Sequence, residues 1–242
     1  MAQQSKTEIH SLKETAHALA DAARAVTLRH FRKPGLGAEN KLVDGFDPVT
    51  VADRDSEKTM RRMLKMRRPQ DAVLGEEYGH SPGKSGLTWV LDPIDGTRGY
   101  ISGTPTWGVL ISVRDASGPI YGIIDQPYIG ERFFGGLGDA WSEGPQGCRA
   151  LGVRENRPLS QAILFTTFPE VGSAAERAGF EAVRDQMLLT RYGMDCYAYA
   201  LLAAGQIDLV VEAGLNAYDI QAPIAVIKAA GGIVTDWQGG PA

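Results

Sequence analysis

The stretch Trp89-Val-Leu-Asp92-Pro93-Ile94-Asp95-Gly96-Thr97-Arg98 restricts this chain more than any other. Trp89 to Leu91 read as a short buried strand that ends abruptly in two carboxylates. Pro93 stiffens the link between Asp92 and Asp95, and Gly96 lets the backbone turn tightly beyond them. Two acids on a rigid loop repel each other unless positive charge sits between them. A hard cation such as Mg2+ meets that need, because it takes oxygen ligands and keeps places for water and phosphate. The backbone N–H groups of Gly96 and Thr97 suit a phosphate oxygen. The loop on its own predicts a metal-dependent phosphate-ester site.

Upstream, apolar residues at Ile9, Leu12, Ala16, Leu19, Ala23, Val26 and Phe31 predict an amphipathic helix from about Thr7 to Phe31. His10 and His17 share a face of it, but no partner acid stands at ligand spacing, so they read as surface or boundary histidines. Asn40 to Val43 reads as a short extended piece leading to Asp47. Thr50 is an N-cap, with Asp53 at the third position of a capping box and helix to about Met66. Taken alone, Asp53 is a first-turn acid that complements the helix dipole. Asp71 to Gly79 is a short strand ending in a glycine and the adjacent acids Glu76 and Glu77. If it lies beside the Trp89 strand, then Glu76, Asp92 and Asp95 share one end of a sheet. Strands over 107–113, 119–126 and 131–135 form an antiparallel meander, and Gly136 to Asp139 is a hairpin turn.

From about Leu151 short strands alternate with helices. Strands are expected over 162–166, 188–192, 207–211 and 233–236, with helices over 174–187, 195–204 and 222–230. The coarse reading is an N-terminal α+β half, residues 1–147, joined to a C-terminal α/β half, residues 148–242, together forming one compact unit.

Composition narrows the function classes. With 43% hydrophobic and 22% charged residues and a net charge of −4, the 242-residue chain is ordinary for a soluble globular protein. The basic run Arg61 to Arg68 solvates a helix face in an otherwise acidic chain, so no nucleic-acid partner is expected. Cys148 and Cys196 lack zinc or redox spacing and read as reduced structural thiols. The polar N-terminus and the absence of a long apolar run predict no membrane partner and a cytoplasmic location.

Five segments in this order resemble the inositol monophosphatase family, part of the lithium-sensitive, magnesium-dependent phosphatases that include fructose-1,6-bisphosphatase. They are Val-Thr-Val-Ala-Asp53, Gly-Glu76-Glu77, Asp92-Pro-Ile-Asp95-Gly-Thr97, Glu212, and Tyr218-Asp219 before a helix closed by Gly231-Gly232. Within the family the chain looks like the bacterial histidinol-phosphate phosphatases. It continues Arg98-Gly-Tyr-Ile-Ser-Gly103 where inositol-type members have Thr-Asn-Phe and nucleotide-type members Lys-Glu-Phe. Ile124-Asp125-Gln126-Pro127 through Glu131-Arg132-Phe, and Tyr218-Asp219-Ile for Trp-Asp-Val, point the same way.

The resemblance implies a layered αβαβα sandwich and hydrolysis of a small phosphomonoester, L-histidinol phosphate first. An inositol or sugar phosphate is the alternative. A regulatory role bound to RNA polymerase or the ribosome is a rival of another class. It implies Mg2+, with Mn2+ as a substitute, in two or three ions. Glu76, Asp92 and the Ile94 carbonyl would hold one, and Asp92, Asp95 and Asp219 a second. A water positioned by Thr97 and Glu76, with Asp53 nearby, attacks phosphorus. On the substrate side stand Asp95, Gly96, Thr97, Arg98, Asp219 and Glu212, with Arg191 as a phosphate or loop contact. Asp195 is either a leaving-group acid or a helix cap. The family norm is a homodimer, and family members usually continue past the last glycine pair with one more strand and helix.

Overall fold

The computed structural model describes residues 5–40 and 48–242. The extended piece expected beyond Asn40, and Asp47, fall outside them. Helix α1 (Lys6–His30) starts at Ser5, whose hydroxyl accepts from Glu8 N at 3.1 Å. It buries Leu12, Ala16, Leu19, Ala23 and Val26, the stripe that the spacing marks. Strands β1 (Ala38–Asn40) and β2 (Pro48–Thr50) pair antiparallel and lead into α2 (Val51–Arg67). The expected capping box forms there: Ala52 N donates to Thr50 Oγ1, and Thr50 N donates to Asp53 Oδ2 at 2.9 Å.

These helices cover one face of an eight-stranded sheet. Its strands are β3 (Ala72–Gly75), β4 (Gly79–Ser81), β5 (Thr88–Asp95), β6 (Gly108–Asp115), β7 (Gly118–Gln126), β8 (Glu131–Gly136), β9 (Asp139–Gly144) and β10 (Gly147–Ala150). They run in the order β10-β9-β8-β7-β6-β5-β3-β4. From β5 to β10 the sheet is the expected antiparallel meander, with the hairpin at Gly136–Asp139, and β9 and β10 extend it further than the sequence suggested. Strands β3 and β5 are parallel neighbours, Gly75 facing Leu91. Side chains alternate across the pleat. Val109 and Ile111 therefore meet Leu12, Leu19 and Met60 on the α1–α2 face, while Leu110 and Ile124 face the other way.

That other face is covered by α5 (Tyr197–Ala203) and α6 (Ala217–Ala229), through Ala200, Val226 and Ile227. Helix α6 lies almost on the sheet backbone. A Cβ at Gly122 would stand 2.5 Å from the Ala222 carbonyl oxygen, and one at Gly135 would stand 2.7 Å from Ala229 Cβ. Beyond these helices lies a parallel sheet of β11 (Ile163–Thr166), β12 (Leu189–Tyr192) and β13 (Leu209–Val210), ordered β12-β11-β13. Helix α4 (Ala174–Arg184) closes its far side by burying Phe180 against Leu164 and Val171. The layers are thus helix, sheet, helix, sheet, helix. No helix among the described residues is long and apolar enough to cross a membrane.

Three expectations need correction. Helix α6 starts at Ala217, not Ala222, because Asn216 and Asp219 form a capping box; Pro223 removes only the bond its N–H would give to the Asp219 carbonyl. Helix α5 starts after Cys196, so Asp195 is not its cap. Residues 233–236 form no strand beyond one bridge from Thr235 to Pro241. Pairing depends on neighbours in space, and apolar side chains alone do not supply them.

Candidate active site

In a regular strand, residues three apart face opposite sides. Asp92 and Asp95 escape this because the pairing of β5 with β6 shifts register between them. Asp92 Oδ1 accepts from Ile94 N at 3.0 Å, folding the chain around Pro93. Asp95 Oδ2 accepts from Cys196 N at 2.6 Å, tying the loop to the start of α5. Gly96, at φ 82°, turns the chain into the short helix α3 (Thr97–Ser102). A side chain there would strike Asp195, whose carboxyl carbon lies 2.7 Å from the ideal Cβ position.

Asp219 reaches this loop from the first turn of α6, where its Oδ2 accepts from Asn216 N at 2.6 Å. One oxygen from each of Asp92, Asp95 and Asp219 lies within 4.8 Å of the others. Burial, then the charges of Glu76, Asp95 and Asp219, push the Asp92 carboxyl well above the usual range. Burial, then Asp195 and Asp219, do the same to Asp95. Such a group of carboxylates is unfavourable when ionised unless a cation is shared among them. Its all-oxygen chemistry fits a hard divalent ion, and among the described residues no imidazole lines the cleft.

Glu76 stands in the turn after β3, beside Asp92 and outside the close triad. A residue not foreseen from the sequence delivers it. The fully buried Glu57 carboxylate accepts from Glu77 N at 2.7 Å and Tyr78 N at 3.2 Å, and is held by Arg61 at 2.6 Å. A Cβ at Gly75 would stand 2.1 Å from Glu57 Oε1. Gly75→Ala is expected to displace this turn and weaken divalent-ion affinity by roughly 10-fold or more, as losses of supporting contacts around metal ligands do. Titration of the protein's activity with Mg2+ checks it; an unchanged half-saturation would exclude the role of Glu57 in holding Glu76.

Thr97 Oγ1 lies 3.1 Å from the Ile94 carbonyl oxygen and 3.3 Å from Asp53 Oδ1. Asp53 is buried and also accepts from the Thr50 hydroxyl at 2.5 Å. Burial pushes its pKa up to about 6 against the opposing pull of the Thr50 hydrogen bonds. Asp53 is therefore both the capping-box acid and a neighbour of the Thr97 hydroxyl.

A cavity of about 320 Å³ opens in front of the triad. Glu212 lines it, with Oε1 accepting from Thr167 N at 2.7 Å and Thr167 Oγ1 at 2.8 Å. Burial raises its pKa above the usual range in spite of those bonds. Asp195, at φ 47°, accepts from Thr106 Oγ1 at 3.3 Å and feels the charge of Arg98. The Arg98 guanidinium lies over the Phe168 ring, 4.9 Å from its centroid. Arg191 does not join this group. It is exposed on the edge strand β12, outside the residues that line the cavity, because β12 is the sheet's outer strand and its side chain projects to solvent. Phe168, Cys196 and Tyr199 also line the cavity. Sequence reasoning missed their part in it, since apolar or weakly polar residues on separate elements carry no local spacing signal.

The remaining candidate residues assemble as a cleft between α6, the β5 loop and the segment after β11. Comparison with known proteins places the chain among the following relatives. Residues 8–242 match the description of the inositol monophosphatase family. The chain is 41% identical over 239 residues to a bifunctional phosphatase IMPL2, chloroplastic, from Arabidopsis thaliana, covering 97% of this chain and 67% of that one. It is 30% identical over 221 residues to a histidinol-phosphatase of Chlorobaculum parvum, covering 91% and 84% of the two chains. An inositol monophosphatase structure from Zymomonas mobilis superposes with a TM-score of 0.83 at 37% identity, over 99% of this chain and 90% of the other.

Proposed function

This chain belongs to the inositol monophosphatase family of phosphoric monoester hydrolases, and from that premise we propose that it hydrolyses L-histidinol phosphate to L-histidinol and phosphate with the help of Mg2+. The observation that carries the substrate choice is the Glu212 carboxylate. It is half-buried, fixed by Thr167 and lines the same cavity as Asp195 and the acidic triad. A leaving group bearing a cationic amine and an imidazole would relieve the electrostatic cost of that acid. The similarity to a histidinol-phosphatase supports the reading, and the similarity to an inositol monophosphatase keeps a neutral ester in the test.

In this reading Asp92, Asp95 and Asp219 hold divalent ions, with Glu76 and the Ile94 carbonyl completing the set. When bound, those ions supply the charge that lowers the pKa of the attacking water and neutralises the leaving alkoxide. Thr97 orients the water through its hydroxyl and passes its proton toward Asp53. Gly96 and Thr97 N–H groups hold the phosphate oxygens, and Arg98 steadies the neighbouring wall through Phe168 and Asp195. Phosphoryl transfer asks mainly for such positioning and charge stabilisation, so no protein nucleophile is required. The halves 1–147 and 148–242 act as one unit, since Asp219 completes a set begun by Asp92 and Asp95.

The test is phosphate release from histidinol phosphate, inositol 1-phosphate and adenosine 3',5'-bisphosphate, each with and without EDTA. Histidinol phosphate is expected to lead, and EDTA to abolish turnover. Glu212→Gln is expected to raise KM for histidinol phosphate by roughly 10-fold, the scale of a lost charge-assisted hydrogen bond, and to spare inositol 1-phosphate. An equal effect on both esters would remove the cationic leaving group from the argument.

A further inference from the structure

Tyr199 is 8% exposed and packs among Leu110, Ala203 and Val226 between the two sheets, yet it also lines the cavity. Its hydroxyl is sealed from solvent and has no hydrogen-bond partner among the described residues. Other buried or half-buried tyrosines are satisfied. Tyr100 donates to the Thr27 carbonyl at 2.7 Å, Tyr121 lies 2.9 Å from His17 Nε2, and Tyr197 donates to Glu131 at 2.6 Å. The charges that bear on the Tyr199 hydroxyl come chiefly from Glu212, Asp95 and Asp219. The phenol therefore stands on the wall of the cavity that the acidic triad and Glu212 also line.

An orphaned buried hydroxyl is unfavourable, and phenylalanine would fill the same space without that penalty. We propose that Tyr199 is a leaving-group contact, its hydroxyl hydrogen-bonding the polar substituent of the ester's alcohol beside Glu212. The identity of that substituent as an ammonium rests on the proposed substrate; the contact itself does not. An ammonium brings three donors and no acceptor. Glu212 already accepts from Thr167 twice and from Thr166. The neutral phenol oxygen supplies a further acceptor without adding another negative charge to a crowded acidic site. Burial also keeps this phenol protonated.

Tyr199→Phe tests the contact, because it keeps the ring in the core and deletes only the oxygen. With the metal-loaded enzyme, KM for the ester the wild type prefers is expected to rise about 10-fold, the scale of one hydrogen bond to a charged group. The inhibition constant of inorganic phosphate, which carries no leaving group, is expected to stay within about twofold on the same scale. An unchanged KM overturns the proposal. So does a parallel rise of KM and the phosphate inhibition constant, which marks a packing defect. If the wild type prefers a neutral ester and Tyr199→Phe still raises its KM alone, the contact stands and the ammonium reading falls.

Discussion

Asp92→Asn is expected to lower metal-dependent turnover by roughly 100-fold or more, on the scale of losing a group aimed at transition-state charge. It is also expected to stabilise the metal-free protein. Asp92 is 2% exposed and faces the charges of Glu76, Asp95 and Asp219. Asparagine keeps an oxygen able to accept from Ile94 N, the bond that shapes the loop. It removes one of several crowded negative charges. Replacing a buried, poorly compensated charge by a neutral isostere gains about 1–3 kcal/mol. For a chain of this size that corresponds to a melting temperature about 2–12 °C higher. The metal should then act unequally on the two proteins. Mg2+ at 100 times its dissociation constant would stabilise the wild type by about 2.7 kcal/mol, and the variant by much less. Thermal unfolding with and without Mg2+, beside turnover at saturating Mg2+, checks both halves. Near wild-type turnover would sink the metal assignment, and a lower melting temperature of the metal-free variant would sink the account of repulsion.

A second large effect is expected far from the chemistry. Asp125 is fully buried and joins α1 to the sheet. Its Oδ2 accepts from Arg24 Nε at 3.0 Å, and its Oδ1 accepts from Arg24 Nη2 at 2.6 Å and Arg132 Nε at 2.7 Å. Arg132 in turn reaches Asp21 at 2.7 Å. Asp125→Ala leaves two guanidinium groups facing each other around an apolar gap. Breaking a buried pair from one side costs about 3–5 kcal/mol, here a fall of about 6–20 °C in melting temperature. Adding Arg132→Met should recover part of that loss, because it removes one stranded charge. A double variant no more stable than the single would show that the lost packing, not the charge, sets the cost. Through Asp125 and Arg132 this network binds the first helix to the central sheet.

Much of the fold was legible because it is local. Thr50 and Asp53 announce their helix start by capping chemistry, the stripe from Leu12 to Val26 announces its buried face, and the meander follows from apolar runs between turns. The errors fell where local rules compete with packing. Asp219 lies in a helix whose start was masked by Pro223, and the apolar segment at Ile233 found no strand to pair with. Glu57 carries no local signal in the sequence, and only the turn folded over it shows what its carboxylate holds.

The sequence by itself determined the class of chemistry. Paired acids on a proline-stiffened loop call for compensating positive charge, which a hard cation supplies, and the glycine and threonine that follow suit a phosphate. Tertiary structure decided which groups meet there. A register shift turns Asp92 and Asp95 to one side, and the close seat of α6 on Gly122 and Gly135 brings Asp219 to them. It also placed Tyr199 in one cavity with Glu212 and left Arg191 outside. The reason is physical. Spacing along a chain governs what neighbours in sequence do, but contacts between distant segments depend on how closely two packed surfaces approach, and that is settled by the side chains of both.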